Sequence, residues 1–279
     1  MIDIHEHLIY GVDDGSPDLE TSLAMAEEAI KDDITHIVCT PHANDAFPYN
    51  KELILDRWIE LRELLRGRLE LSLACDFHMS AENIFAALAN PLVYSVNGNG
   101  YLLIEFPNTV ISQQLSDMLF EMQATGYTLI VTHPERYPAV QRSPELVREW
   151  IRRECLIQVT ADSILGRWGR RAEALSKAML ERNWIHFLAT DAHRVEWRPP
   201  HMKEAYDYVM NLAGEETARR LCVTNPQAVV DGAAWPQQPE AKDLLSDEPI
   251  KCESRKAGKI VEAERRSRSK FSWARLLGR

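Results

Sequence analysis

A chain of 279 residues with 45% hydrophobic side chains is long enough to bury one large core. Its 42 acidic against 32 basic residues, a net charge of −10, argue against general nucleic-acid binding, which calls for a basic surface. No apolar run approaches the roughly 18 residues of a membrane-spanning helix, the start has no secretion-signal pattern, and five cysteines without a C-x-x-C pair indicate free thiols in a reducing cytoplasm.

The chain opens on MIDIHEHLIYGVDDG, a short strand running into His5-Glu6-His7 and then the acid pair Asp13-Asp14. Two histidines at i and i+2 of a strand face the same way and can hold one ion. Ser16-Pro17-Asp18 starts an amphipathic helix over 19–31. A β-branched strand over 35–39 ends at Thr40-Pro41-His42, and a helix over 51–66 follows. Strand 69–74 ends at Cys75-Asp76-Phe77-His78, and a helix covers 80–89. Strand 101–104 ends at Glu105-Phe106-Pro107, and a helix covers 111–125. Strand 128–132 ends at His133-Pro134-Glu135-Arg136, and a helix covers 144–153. Strand 156–160 precedes a helix over 169–182. Strand 184–190 ends at Asp191-Ala192-His193, and helical stretches near 202–213 and 215–222 follow.

Seven strands alternating with helices predict a parallel α/β sheet, and that many units in about 230 residues suit a closed or nearly closed βα barrel. The polar residues fall in a pattern. His5, His7, His42, Asp76, Glu105, His133, Asp191 and His193 sit at or just past predicted strand ends, where a βα barrel builds its sites, and Asp14 lies close by in sequence. Nine such candidates are too many for one ion and suit two or three. Imidazole mixed with carboxylate favours manganese, iron or zinc over magnesium alone. Such a cluster can activate water and neutralise phosphoryl oxygens. Arg136, three residues past His133, can present a guanidinium to phosphate at the same rim.

The ordered motifs HEH, DDG, TPH, IEFP, THPER and ATDAH resemble those of the PHP (polymerase and histidinol phosphatase) superfamily. Within it the chain is most similar to the bacterial metal-dependent protein-tyrosine phosphatases of capsule and exopolysaccharide operons. The resemblance covers 1 to about 232. It implies a distorted (β/α)7 TIM-like barrel, the PHP fold, and a site of two or three divalent ions, often manganese. It also implies removal of phosphate from tyrosines of a kinase that serves polysaccharide synthesis. The implied ligands are His5, His7, Asp14, His42, Asp76, Glu105, His133, Asp191 and His193. Arg136, Asp14 and His42 are the residues expected to act in catalysis, with Arg136 holding phosphate.

The chain departs from that pattern in places. Glu6 stands where relatives commonly carry Cys, Asp76 where they carry Glu, and His78 where they carry His or Arg. His36, His186 and His201 match no motif and are assigned to packing or surface. A cysteine-based tyrosine phosphatase needs Cys-x5-Arg. The residues six past the cysteines are Asp45, Ala81, Ala161, Ala228 and Gly258, so that mechanism is excluded. Rival readings are a phosphoesterase for a small monoester such as histidinol phosphate, an amidohydrolase, and a non-catalytic copy of the fold. Against the second stands Glu105 in place of a bridging lysine; against the third stands the complete ligand set.

The end of the chain is different material. Residues 251–279 hold ten Lys/Arg against three Asp/Glu, with a basic run at 265–270 followed by Phe271, Trp273, Leu276 and Leu277. The expected division is a barrel domain over 1–235 and a mostly disordered basic C-terminal tail over 236–279. The tail is a candidate for peripheral contact with an anionic membrane.

Overall fold

Aliphatic and β-branched runs form nine short strands among the described residues of the computed structural model, which are 1–90, 92–107, 111–250 and 252. In chain order the elements are β1 (Ile2–Glu6), α1 (Leu19–Lys31), β2 (His36–Cys39), β3 (His42–Ala43), α2 (Lys51–Leu64), β4 (Glu70–Leu73), β5 (Asp76–His78) and α3 (Ala81–Ala89). There follow β6 (Tyr101–Glu105), α4 (Gln113–Ala124), β7 (Thr128–Thr132), α5 (Pro138–Arg142), α6 (Glu145–Arg152) and β8 (Leu156–Thr160). The last are α7 (Ala161–Ile164), α8 (Arg170–Glu181), β9 (Phe187–Ala189), α9 (Lys203–Ala213), α10 (Glu215–Arg219) and α11 (Asn225–Asp231). Helix starts follow side-chain capping: Asp18, Asn50, Ser80 and Ser112 each accept a bond from an amide of the first turn.

All strand pairs are parallel, as the alternation with helices predicts. The strands divide into a sheet β1-β2-β4 and a sheet β3-β5-β6-β7-β8-β9. The division arises because two of the expected strands are each followed, after a break, by a further short strand, β3 and β5. The first breaks at Thr40-Pro41, where Pro41 has no N–H to give the ladder. The second breaks at Ala74-Cys75. Bonding continues across both breaks: Ala74 N donates to Cys39 O at 2.9 Å, and Asp76 N to Pro41 O at 3.1 Å. At the far edge, Asp191 N donates to His5 O at 2.8 Å, and His7 N to Ala192 O at 2.9 Å.

Strands are buried on both faces. Leu102 and Ile104 of β6 join the large core beneath the helices, whereas Leu103 joins a smaller cluster with Ile4, Val38, Ile130 and Phe187. That alternation sets every strand's register against its neighbours.

Packing continues past the boundary expected at Trp235. Gln238 and Asn225 exchange side-chain amide bonds. Trp184 Nε1 donates to Lys242 O at 2.9 Å, and Arg152 donates to Leu244 O. Buried Arg148 donates to the carbonyls of Ser246 and Glu248, and Ile250 N donates to Glu145 at 3.2 Å. The stretch 238–250 is therefore a strap held by α6 and by the turn before β9. Sequence reasoning missed it because carbonyls, not apolar side chains, make most of these contacts. The basic run and the aromatic residues after it lie outside the described residues.

Candidate metal centre

Each of the nine expected residues is carried to one end of the strands. His5 comes from β1 and His7 from just past its end, His42 from β3, Asp76 from β5, Glu105 from β6, His133 from just past the end of β7, and Asp191 and His193 from the turn after β9. Asp14 comes from the loop after β1, which doubles back tightly. A Cβ on Gly15 would lie 2.4 Å from His7 O, so only glycine fits there. His133 and Asp191 both adopt left-handed backbone, with φ of 35° and 54°. Such conformations are uncommon outside glycine and concentrate where side chains are aimed for function.

The ligand-type atoms gather in four overlapping groups, within each of which they lie within 4.8 Å of one another. One group is His7, Asp14, His42 and His193; another is His42, Asp76 and Glu105. The others are His5, His7 and Asp76, and His5, His133 and Asp191. His5 Nε2 lies 3.6 Å from Asp76 Oδ2 and 3.5 Å from Asp191 Oδ1. His7 Nε2 is 3.3 Å from Asp191 Oδ1, and His193 Nε2 is 3.5 Å from Asp14 Oδ1. His133 Nε2 is 3.7 Å from Glu105 Oε1. Two atoms that each sit about 2.1 Å from a shared ion stand roughly 3–4 Å apart.

The other nitrogens are fixed by protein. His7 Nδ1 bonds Asp13 Oδ2 at 2.7 Å, His5 Nδ1 bonds Gln158 Oε1 at 3.1 Å, and His193 Nδ1 bonds Asp191 O at 3.0 Å. Such bonds fix the tautomer and leave Nε2 facing the cluster. Asp13 also accepts from the amides of Gly15 and His42, so it organises the loop as well as the ring. By contrast, among the described residues His5 Nε2, His7 Nε2, His133 Nδ1 and Asp76 Oδ1 are buried without a hydrogen-bond partner, and His42 Nδ1 and Asp76 Oδ2, 3.0 Å apart, do not meet in good hydrogen-bond geometry. Buried polar atoms are rarely left so. Their convergence on common points fits divalent ions, and the donors are imidazole and carboxylate without thiolate.

The electrostatics are those of a cation site. Burial works against charge on His42, but Asp14, Asp76 and Glu105 outweigh it and carry its pKa up to about 11. Burial likewise opposes charge on His5, yet Asp191 and Asp76 raise it to about 9. Glu105 is pushed up to about 8, by burial first and by Asp76 second. Burial, aided by Arg136, pulls His133 well below its ordinary value; burial, aided by His7, takes His193 to about 4. In those two imidazoles burial favours the neutral form, the one that binds metal.

Asp14, His42, Asp76, Glu105, His133, Asp191 and His193 line an open cavity of about 430 Å³. Arg136 lines it, as expected, with its guanidinium on Asp191 and 4.0 Å from the centroid of Trp168. A second arginine, Arg198, also binds Asp191, lies 3.2 Å from His193 Nε2 and lines the same cavity. Burial alone would raise the pKa of Asp191; Arg198, then Arg136, hold it well below the usual range. Sequence reasoning missed Arg198, because nothing in its loop marks it. Gln158 had a signal, a polar residue inside the apolar strand LIQVT. His78 lines the cavity with an unpartnered Nδ1. Glu6 is buried outside the four groups, and neither of its oxygens has a partner. His36 bonds Ser72 at 2.8 Å, His186 Nδ1 accepts from Ile157 N, and His201 is half-exposed, all away from the cavity.

The family described as capsular polysaccharide synthesis, CpsB/CapC, matches residues 1–231. The tyrosine-protein phosphatase YwqE of Bacillus subtilis is 31% identical over 220 residues, covering 77% of this chain and 86% of its own. The tyrosine-protein phosphatase CpsB of Streptococcus pneumoniae is 28% identical over 239 residues, covering 82% and 98%. A crystal structure from work on YwqE and CpsB, described there as unique metal-dependent tyrosine phosphatases, superposes with a TM-score of 0.80. It is 28% identical and covers 90% of this chain and 100% of that one.

Proposed function

The chain belongs to the capsular polysaccharide synthesis family CpsB/CapC, and from that membership we propose that it is a metal-dependent protein-tyrosine phosphatase. One observation carries the reading: buried imidazole and carboxylate atoms without hydrogen-bond partners converge in a cavity that two arginines also line. His5, His7, Asp14, His42, Asp76, Glu105, His133, Asp191 and His193 would hold two or three divalent ions, manganese foremost, with iron or zinc as substitutes. Ions bound there supply an activated water and counter-charge for phosphoryl oxygens. Arg136 and Arg198 grip the phosphate oxygens from the rim. Asp14, half-exposed and 3.4 Å from His42 Nε2, is the carboxylate that water reaches, and these two residues act beside Arg136 in catalysis.

We read the two sheets as one distorted (β/α)7 barrel. Supporting this are the bonds that continue across both strand breaks and those that join β1 to the turn after β9. The packed domain is taken to run to Ile250, on the strength of the strap. The substrate is a phosphotyrosine-bearing kinase of polysaccharide synthesis, and the setting is cytoplasmic. No helix among the described residues is long and apolar enough to cross a membrane. The basic tail is proposed to touch an anionic membrane surface.

The test is turnover of phosphotyrosyl peptide and histidinol phosphate by the manganese-loaded protein, side by side. The peptide is expected to be preferred. Chelation should abolish turnover while thiol alkylation leaves it, because Cys39, Cys75, Cys155 and Cys222 are buried and their thiols are shifted upward by burial. Turnover that survives chelation and is lost on alkylation would overturn the reading.

A further inference from the structure

The ion cluster and the two arginines address the phosphate group, which every phosphate monoester shares. Selection of an aromatic ester needs a surface that reads the ring. Among the described residues Phe47 lines the cavity, Trp168 and Trp197 stand beside the arginines that line it, and none of these three joins a core cluster. Two of them are engaged with cations. Trp168 lies under Arg136 at 4.0 Å and Arg198 at 5.4 Å, and Trp197 lies 5.4 Å from Arg198 with its ring edge-on to His193.

Phe47 is different. Among the described residues no arginine or lysine lies over its ring, it is half-buried, and it lines the cavity directly. Its ring is within 15° of parallel to the His42 imidazole, with centroids 6.1 Å apart. The loop that presents it is tied to itself. Asn44 N donates to Phe47 O at 3.1 Å, Phe47 N donates to Asn44 O at 3.2 Å, and Asn44 Oδ1 accepts from the amides of Ala46 and Phe47 at 2.9 Å. An aromatic ring on a self-bonded turn, outside the core and facing the cavity, is pre-organised for contact at low entropic cost.

We infer that Phe47 is the wall against which the substrate's aromatic ring packs, and so a specificity-determining residue for aryl over alkyl phosphates. This rests on the phosphatase reading above. Ring-on-ring contact in an offset geometry is the source of the preference, added to the apolar surface it covers.

The experiment measures binding of two non-hydrolysable anions, phenylphosphonate and methylphosphonate, to the manganese-loaded full chain by calorimetry. Phe47→Ala should weaken phenylphosphonate by about 3- to 10-fold and leave methylphosphonate within about 2-fold. Phe47→Tyr should retain the preference. Phe47→Leu, which keeps apolar bulk without the ring, should lose most of it. In turnover of phosphotyrosyl peptide, Phe47→Ala should act through KM with kcat little changed. Equal loss of both anions, no loss of either, or a Phe47→Leu protein indistinguishable from the unaltered one would overturn the inference. Absence of phosphotyrosine turnover by the unaltered protein would overturn the phosphatase reading, and the binding comparison would still decide the role of Phe47.

Discussion

Single residues in this site do two kinds of work. His5, His7 and His193 turn Nε2 toward the cluster because Gln158, Asp13 and the Asp191 carbonyl hold Nδ1. His42→Ala and Asp191→Ala each remove one ligand side chain from the cluster without touching the apolar core. Both are expected to lose bound metal and turnover while keeping the circular dichroism of the folded protein; metal content by mass spectrometry decides it. Arg136 answers to a different measurement. A charge-assisted contact to phosphate is worth roughly 1.5–3 kcal/mol, so Arg136→Ala should lower kcat/KM by about 10- to 150-fold. Metal content should stay as it was, which separates this loss from that of the ligand variants. Unchanged kinetics would remove Arg136 from the phosphate site.

At the scale of elements, the strap over 238–250 links parts of the chain far apart in sequence. It runs antiparallel to α6: Leu244 meets Arg152, Ser246 and Glu248 meet Arg148, and Ile250 meets Glu145. Arg148 is buried and satisfies two strap carbonyls, so its removal leaves both without that donor. Arg148→Ala should cost about 1.5–3 kcal/mol, seen as a fall in Tm of several degrees. A chain ending at Gln237 should lose at least as much, whereas one ending at Cys252 should melt with the full chain. Equal melting of all three would mean that the strap contributes nothing to stability. Cutting at Gln237 removes the strap together with the tail, whereas cutting at Cys252 removes the tail alone.

For the whole molecule, charge is distributed unevenly: the net charge of −10 includes a final 29 residues with ten basic and three acidic side chains. Each basic residue near an anionic surface contributes about 1 kcal/mol, and salt screens it. The full chain should therefore sediment with anionic vesicles, less so as salt rises, and not with neutral ones. The chain ending at Cys252 should stay in solution and retain turnover of a small aryl phosphate. Equal sedimentation of the two would dispose of the membrane proposal.

Much of this is legible in the sequence. Continuous apolar and β-branched runs such as THIVC and TLIVT indicate strands buried on both faces, and alternation with helices indicates parallel pairing. Because parallel strands all end on one side, the polar residues after them must meet, and the candidate cluster follows from local pattern alone. Other features depended on distance in the folded chain. The short strands beyond Thr40-Pro41 and Ala74-Cys75, and the separate sheet they enter, depend on pairing between distant segments, which no window of sequence contains. Arg198 enters the cavity because its loop folds back over His193, and the strap is held by backbone carbonyls that every residue type carries. Sequence determines the chemistry available at each strand end; the tertiary structure decides which distant backbone and side-chain groups complete it, because hydrogen bonds and ion pairs depend on position in space.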